Sequence, residues 1–145
     1  MNNPVIHVVG GPTASGKSAY AMELAAKNNG VIINADSMQI YDGLAILTAQ
    51  PSAEDRQTHP HELYAHLHPN EDCSAGNWRE IVEPLIKDIL AQGKVPIVVG
   101  GSGLYINALI EGLSPIPDMP DDIRQAANAK QKELGNPAFH QALAA

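Results

Sequence analysis

The sequence predicts an α/β fold: a mainly parallel sheet flanked by helices and built around a phosphate-binding loop. Three observations carry this. Short apolar runs alternate with longer amphipathic ones, the pattern of strands joined by crossover helices. The octapeptide Gly11-Pro12-Thr13-Ala14-Ser15-Gly16-Lys17-Ser18 fits G-x-x-x-x-G-K-S/T and lies between the apolar run Val5-Ile6-His7-Val8-Val9 and a helical run from Ala19 to Ala26. Two further apolar runs end on chemistry-bearing residues, Asp36 and Gly100-Gly101-Ser102, as strands do at the carboxyl edge of an open sheet.

In order, Val5 to Val9 reads as a first strand, expected to be buried on both faces. A helix from about Gly16 to Lys27 follows, stopped at Asn28-Asn29-Gly30, where Gly30 or an Asn suits a left-handed cap. Val31 to Asp36 is the second strand. Ser52 with Asp55 marks a capped, short helix, because Pro60 follows. His61 to Leu67 reads as a further strand. Ser74 opens the longest helix, whose stripe Trp78, Ile81, Val82, Leu85, Ile86, Ile89 repeats at three and four; Pro84 interrupts it and Gly93 ends it. Lys94 to Val99 is the last clear strand, with a helix from Leu104 to Glu111 behind it. Residues 114–120 are proline-rich and read as a boundary. Beyond them, Asp121 to Leu134 is a charged, Ala-rich helix, broken at Gly135-Asn136-Pro137 before a last short one to Ala145.

Composition narrows the function classes. The chain has 145 residues and a formal net charge of −7, which argues against broad non-specific nucleic-acid binding. No apolar run approaches the length of about 18 residues that spans a bilayer. Met1-Asn2-Asn3-Pro4 lacks the basic start of a secretory signal. The single cysteine, Cys73, has no internal partner, which fits a reducing, cytoplasmic setting.

The loop's chemistry follows from its residue types. Glycines bring backbone N–H groups close to an anion, the following helix aims its positive dipole end there, Lys17 adds a charge, and the Ser18 hydroxyl can hold magnesium against phosphate oxygens. The motif specifies a polyphosphate and fits nucleotides such as ATP; it does not specify the reaction. Gly100-Gly101-Ser102 is a second candidate anion turn on the same edge. Asp36 has three readings: a magnesium ligand, a general base, or a cap for the turn after it. His59, His61, His66 and His68 have no recognised metal-ligand spacing and read as polar loop residues. Arg124, Lys130 and Lys132, interspersed with acids, read as a solvated helix face.

Five blocks together are more specific than the loop. Gly11 to Ser18, Asn34-Ala35-Asp36-Ser37-Met38-Gln39-Ile40-Tyr41, Thr48-Ala49-Gln50-Pro51, Val99-Gly100-Gly101-Ser102-Gly103-Leu104-Tyr105 and Glu111-Gly112-Leu113-Ser114-Pro115 resemble, in order and spacing, the tRNA dimethylallyltransferase (tRNA isopentenyltransferase) family over Val5 to about Arg124. The resemblance implies transfer of a dimethylallyl group from dimethylallyl diphosphate to N6 of an adenine beside the anticodon. It further implies that Gly11, Pro12, Thr13, Ala14, Ser15, Gly16, Lys17 and Ser18 hold the donor's diphosphate rather than ATP, with magnesium at Ser18. Asp36 would take the amine proton. Ser37, Met38 and Gln39 would meet the tRNA. Ser102, where the family usually has threonine, would assist the departing diphosphate beside the tRNA, and Arg124 would match a basic tRNA-contacting residue. Lys17, Asp36 and Ser102 are then the expected catalytic residues, the anticodon stem-loop the expected partner, and a monomer the expected state. Members of that family are about twice as long. The chain is therefore expected to be an N-terminal portion, with residues 1–113 as catalytic core and 114–145 as the start of a helical tRNA-binding insertion, and to be poorly active alone.

Two other readings remain. A small-molecule or nucleotide kinase shares the loop and the strand-end aspartate but needs a cluster of clamping arginines; Arg56, Arg79 and Arg124 are scattered. An inactive fragment would bind diphosphate without turnover.

Overall fold

The computed structural model describes residues 4–144 except 115, 116 and 118. The residues Met1 to Asn3, part of the proline-rich boundary and Ala145 therefore lie outside the described residues. The chain divides into two compact units, Met1–Leu113 and Ser114–Ala145.

In the first unit the elements run β1 (His7–Gly10), α1 (Lys17–Asn28), β2 (Gly30–Asn34), α2 (Ala53–Thr58), β3 (His61–Glu62), α3 (Ala75–Ala91), β4 (Val95–Gly100) and α4 (Gly103–Ile110). The four strands form one parallel sheet in the order β1-β4-β2-β3. β2 and β4 are central and buried along nearly their whole length, which is why both read as unbroken apolar runs. Their register pairs Ile32 with Ile97 and Ile33 with Val98. Successive side chains alternate between faces. Ile32, Ile97 and Val99 therefore meet Ala21 and Ala25 of α1, while Val31, Ile33 and Val98 meet Trp78, Val82, Ile86 and Ile89 of α3. Tyr105 of α4 stacks on Trp78, with ring centroids 5.0 Å apart, and donates its hydroxyl to the Cys73 carbonyl.

Several expectations shift. β1 is an edge strand, not a doubly buried one: among the described residues it pairs only with β4, and Ile6 and Val8 stay 41% and 39% exposed. α1 begins one residue after Gly16, which caps it, and Asn29, at φ 51, takes the left-handed exit. β2 stops at Asn34, so Asp36 sits in the turn beyond it. The strand expected over His61 to Leu67 shrinks to His61–Glu62, because Leu63 (φ 62) and Ala65 (φ 50) both turn left-handed. Ser52–Asp55 forms the expected capping box on α2, and Ser74–Asn77 forms another on α3, which continues through Pro84.

The second unit carries α5 (Asp121–Ala144), interrupted at Gly135 (φ 74, ψ 161), where the sequence breaks the pattern. None of its described residues is buried.

Candidate active site

The β1–α1 loop reverses the chain through Gly16, whose φ of 85 is a conformation that glycine adopts without strain. Gly16 supplies no side-chain cap, so the opening N–H groups of α1 have no side-chain acceptor there. Lys17 Nζ donates to the Pro12 carbonyl at 2.5 Å, closing the loop; an ammonium has further donors for phosphate oxygens. These residues form one wall of a cavity of about 530 Å³, lined by Thr13 to Ala19, by Asp36, Met38, Gln39 and Leu47 to Ala49, and by Tyr64, Val99 and Gly100.

The opposite wall is the turn after β2. Asn34 is fully buried in an otherwise apolar strand. Its Oδ1 accepts from Asp36 N–H at 2.9 Å, and its Nδ2 donates to the carbonyls of Asp36 (2.9 Å) and Leu63 (3.1 Å). Trp78 Nε1 donates to the Asn34 carbonyl, tying the clamp to the core. Asp36 Oδ1 then accepts from Met38 N–H at 2.8 Å and, more weakly, from Gln39 N–H at 3.3 Å. One carboxylate oxygen therefore caps the turn, and Oδ2 lies on the side facing Gly101.

The end of β4 packs tightly on this turn. A Cβ on Gly100 would fall on the Ala35 carbonyl, so only glycine fits. Ser102 N–H donates to that carbonyl at 3.2 Å, and Ser102 Oγ accepts from Ser37 N–H at 2.8 Å. Gln39 Nε2 donates to the Thr48 carbonyl at 2.8 Å, bracing the 44–50 loop.

The cavity thus brings together Thr13, Ala14, Ser15, Gly16, Lys17, Ser18, Asp36, Met38 and Gln39. Gly11 and Pro12 lie behind the lining. Ser37 and Ser102 are outside it, bonded to each other. Arg124 belongs to the second unit and is exposed. Among the described residues no three or more His, Cys, Asp or Glu side chains cluster as a metal cage. Magnesium does not need such a cage, since it keeps several waters and takes only one or two protein oxygens beside substrate phosphates, and the Ser18 hydroxyl, exposed at the cavity, is an oxygen of that kind.

Sequence reasoning missed Asn34 and Tyr64. The signal for Asn34 was a lone amide in an apolar run. Tyr64 gave none, since its place depends on the two left-handed residues around it. Burial, reinforced by the Asp36 carboxylate, pushes the Tyr64 phenol up, so it stays protonated. Burial holds His61, beside it, below the ordinary histidine value.

The chain matches the family described as IPP transferase over residues 39–145 and that described as isopentenyl transferase over residues 4–68. It is 49% identical over 142 residues to the tRNA dimethylallyltransferase of Rhodospirillum centenum, covering 98% of this chain and 45% of that protein. It is 50% identical over 137 residues to that of Paramagnetospirillum magneticum, covering 94% and 44%. The chain thus spans less than half the length of these relatives. Among solved structures, the full-length tRNA isopentenylpyrophosphate transferase of Bacillus halodurans superposes with a TM-score of 0.75 at 35% identity, over 97% of this chain and 47% of that one. A eukaryotic dimethylallyltransferase described as acting on tRNA superposes with a TM-score of 0.72 at 26% identity, over 96% and 40%.

Proposed function

Because the chain belongs to the IPP transferase family, we propose that it carries the donor site and nucleophile-activating aspartate of a tRNA dimethylallyltransferase. The observation that carries the reading is the single cavity walled on one side by the phosphate loop and on the other by Asp36. In this reading the loop N–H groups, the α1 N-terminus and Lys17 hold the diphosphate of dimethylallyl diphosphate. The Ser18 hydroxyl would hold magnesium, which would supply charge neutralisation for the leaving group. The adenine N6 enters from the Met38 side. Its lone pair forms the bond to the allylic carbon as the carbon–oxygen bond to diphosphate breaks, and Asp36 takes the amine proton. The base must leave its stack to reach the cavity. Asp36 is well suited to this: Asn34 fixes its backbone and the Met38 N–H holds one oxygen. Ser102 holds the Ser37 backbone, and its own O–H proton remains available to the departing diphosphate. Residues 1–113 then act as the catalytic core and 114–145 as the start of a tRNA-binding insertion bearing Arg124, in a monomeric cytoplasmic protein.

The kinase reading is weaker because Arg56 is engaged with Gln50 and the Tyr64 ring, and Arg79 with Glu83. Calorimetry separates the two. Dimethylallyl diphosphate is expected to bind more tightly than ATP. Lys17→Ala is expected to weaken that binding by about 2–3 kcal/mol, the scale of a lost charge-assisted contact. Unchanged affinity rejects the cradle.

A further inference from the structure

Three large apolar side chains stand in water at the cavity rim: Ile46 is 98% exposed, Leu47 82% and Met38 53%. Met38 and Leu47 line the cavity itself, and Ile46 adjoins Leu47 at the tip of the 44–50 loop. A single exposed apolar residue is ordinary; a group of them at the mouth of a site marks a surface that a partner covers.

The tip is held firmly. Thr48 donates both its N–H and its hydroxyl to the Leu44 carbonyl, at 3.0 and 2.8 Å. Ala49 N–H reaches the Ile46 carbonyl at 3.2 Å, and Gln50 N–H the Ala45 carbonyl at 2.9 Å. Gln50 Nε2 donates to the Tyr41 carbonyl, and Gln39, from the turn that carries Asp36, to that of Thr48. The backbone of Ile46 and Leu47 is therefore fixed relative to Asp36 and loses little freedom on meeting a partner. Two features say what that partner is. Met38 and Leu47 border the opening that a nucleobase must pass, and a protein segment seated on them would shut it. Residues 36–50 include no Lys or Arg, so the rim has no cation for phosphates and offers apolar contact to the faces of bases.

We propose that Ile46, backed by Leu47, is a wedge that enters the RNA base stack beside the target adenine and fills the place this base vacates as it turns into the cavity. The inference rests on the transferase reading above. Extruding a base breaks its stacking on both neighbours, which opposes the turn. An aliphatic side chain in the gap gives those neighbours an apolar surface again and blocks the base's return, as apolar side chains do when driven between base steps.

The test uses a full-length protein containing this chain. Its ligand is an anticodon stem-loop in which the fluorescent adenine analogue 2-aminopurine, whose emission rises when it leaves the stack, replaces the target base. Binding is followed separately by the anisotropy of an end-labelled stem-loop. With the unsubstituted protein the emission is expected to rise. Ile46→Ser should remove most of that rise at saturating protein while leaving dimethylallyl diphosphate affinity unchanged by calorimetry. It should weaken RNA binding by no more than about tenfold, the scale of one lost base contact. Ile46→Leu, which keeps an aliphatic tip, should retain the rise. An undiminished rise in Ile46→Ser overturns the wedge while the donor site stands. Loss of donor affinity in Ile46→Ser makes the tip a mere prop for the cavity and overturns the wedge as well. No rise with the unsubstituted protein overturns base extrusion and the wedge together.

Discussion

Asp36 makes two demands on one side chain. Its Oδ1 caps the turn through Met38 N–H, and its Oδ2 is left on the Gly101 side, where the proposed reaction uses it as a base. Asp36→Asn keeps the shape and can still cap, but it cannot take a proton. In a full-length protein containing this chain, turnover is expected to fall by roughly 10²–10⁴, the usual worth of a general base, with donor affinity nearly unchanged. A metal-ligand role forecasts the reverse: weaker donor binding, partly restored by added magnesium. Measuring donor affinity and turnover across a magnesium titration decides the matter, and restoration by magnesium removes the base assignment. All three sequence readings of Asp36 addressed its carboxylate. None could show that the residue two positions earlier fixes it, because a buried amide bonding both ways across a turn is visible only in three dimensions.

Among the elements, β3 shows most plainly what a linear pattern omits. His61-Glu62-Leu63-Tyr64-Ala65-His66-Leu67 has the composition of a strand, yet two left-handed residues cut it short and turn Tyr64 into the cavity wall. Strands β2 and β4 were legible because burial on both faces leaves a continuous apolar run, and α2 and α3 because their caps are local. β1 was read as doubly buried because an edge strand of a parallel sheet has the same composition as a central one. The shortened β3 also carries a pH signature. Burial lowers the His61 value below 6.5, ahead of the opposing hydrogen bond that its ring makes to the His59 carbonyl and the nearby Asp55 carboxylate. The unfolded chain therefore takes up that proton first as pH falls, and the fold loses stability below about 6.5. The thermal midpoint is expected to drop between about pH 7 and pH 5.5, and His61→Asn should flatten that part of the profile. An unchanged slope in the variant would remove His61 as its source.

For the whole molecule, the proposed reading puts the donor site and the RNA grip in different parts. The first unit contains the cavity; the second is a helical pair with no buried residue among those described, and the match covers only 45% of the length of one relative. The 145-residue chain is expected to bind the donor and yet prenylate an anticodon stem-loop poorly. Robust turnover by the isolated chain in a radiolabelled transfer assay would refute that division.

The open flank of β1 has a practical consequence. Among the described residues its N–H and C=O row away from β4 pairs with no strand, and with Ile6 and Val8 uncovered beside it this edge is a template onto which another copy's strand can be added. Samples of this chain will tend to aggregate as concentration rises, and a lysine at position 8 is the change that would keep them dispersed.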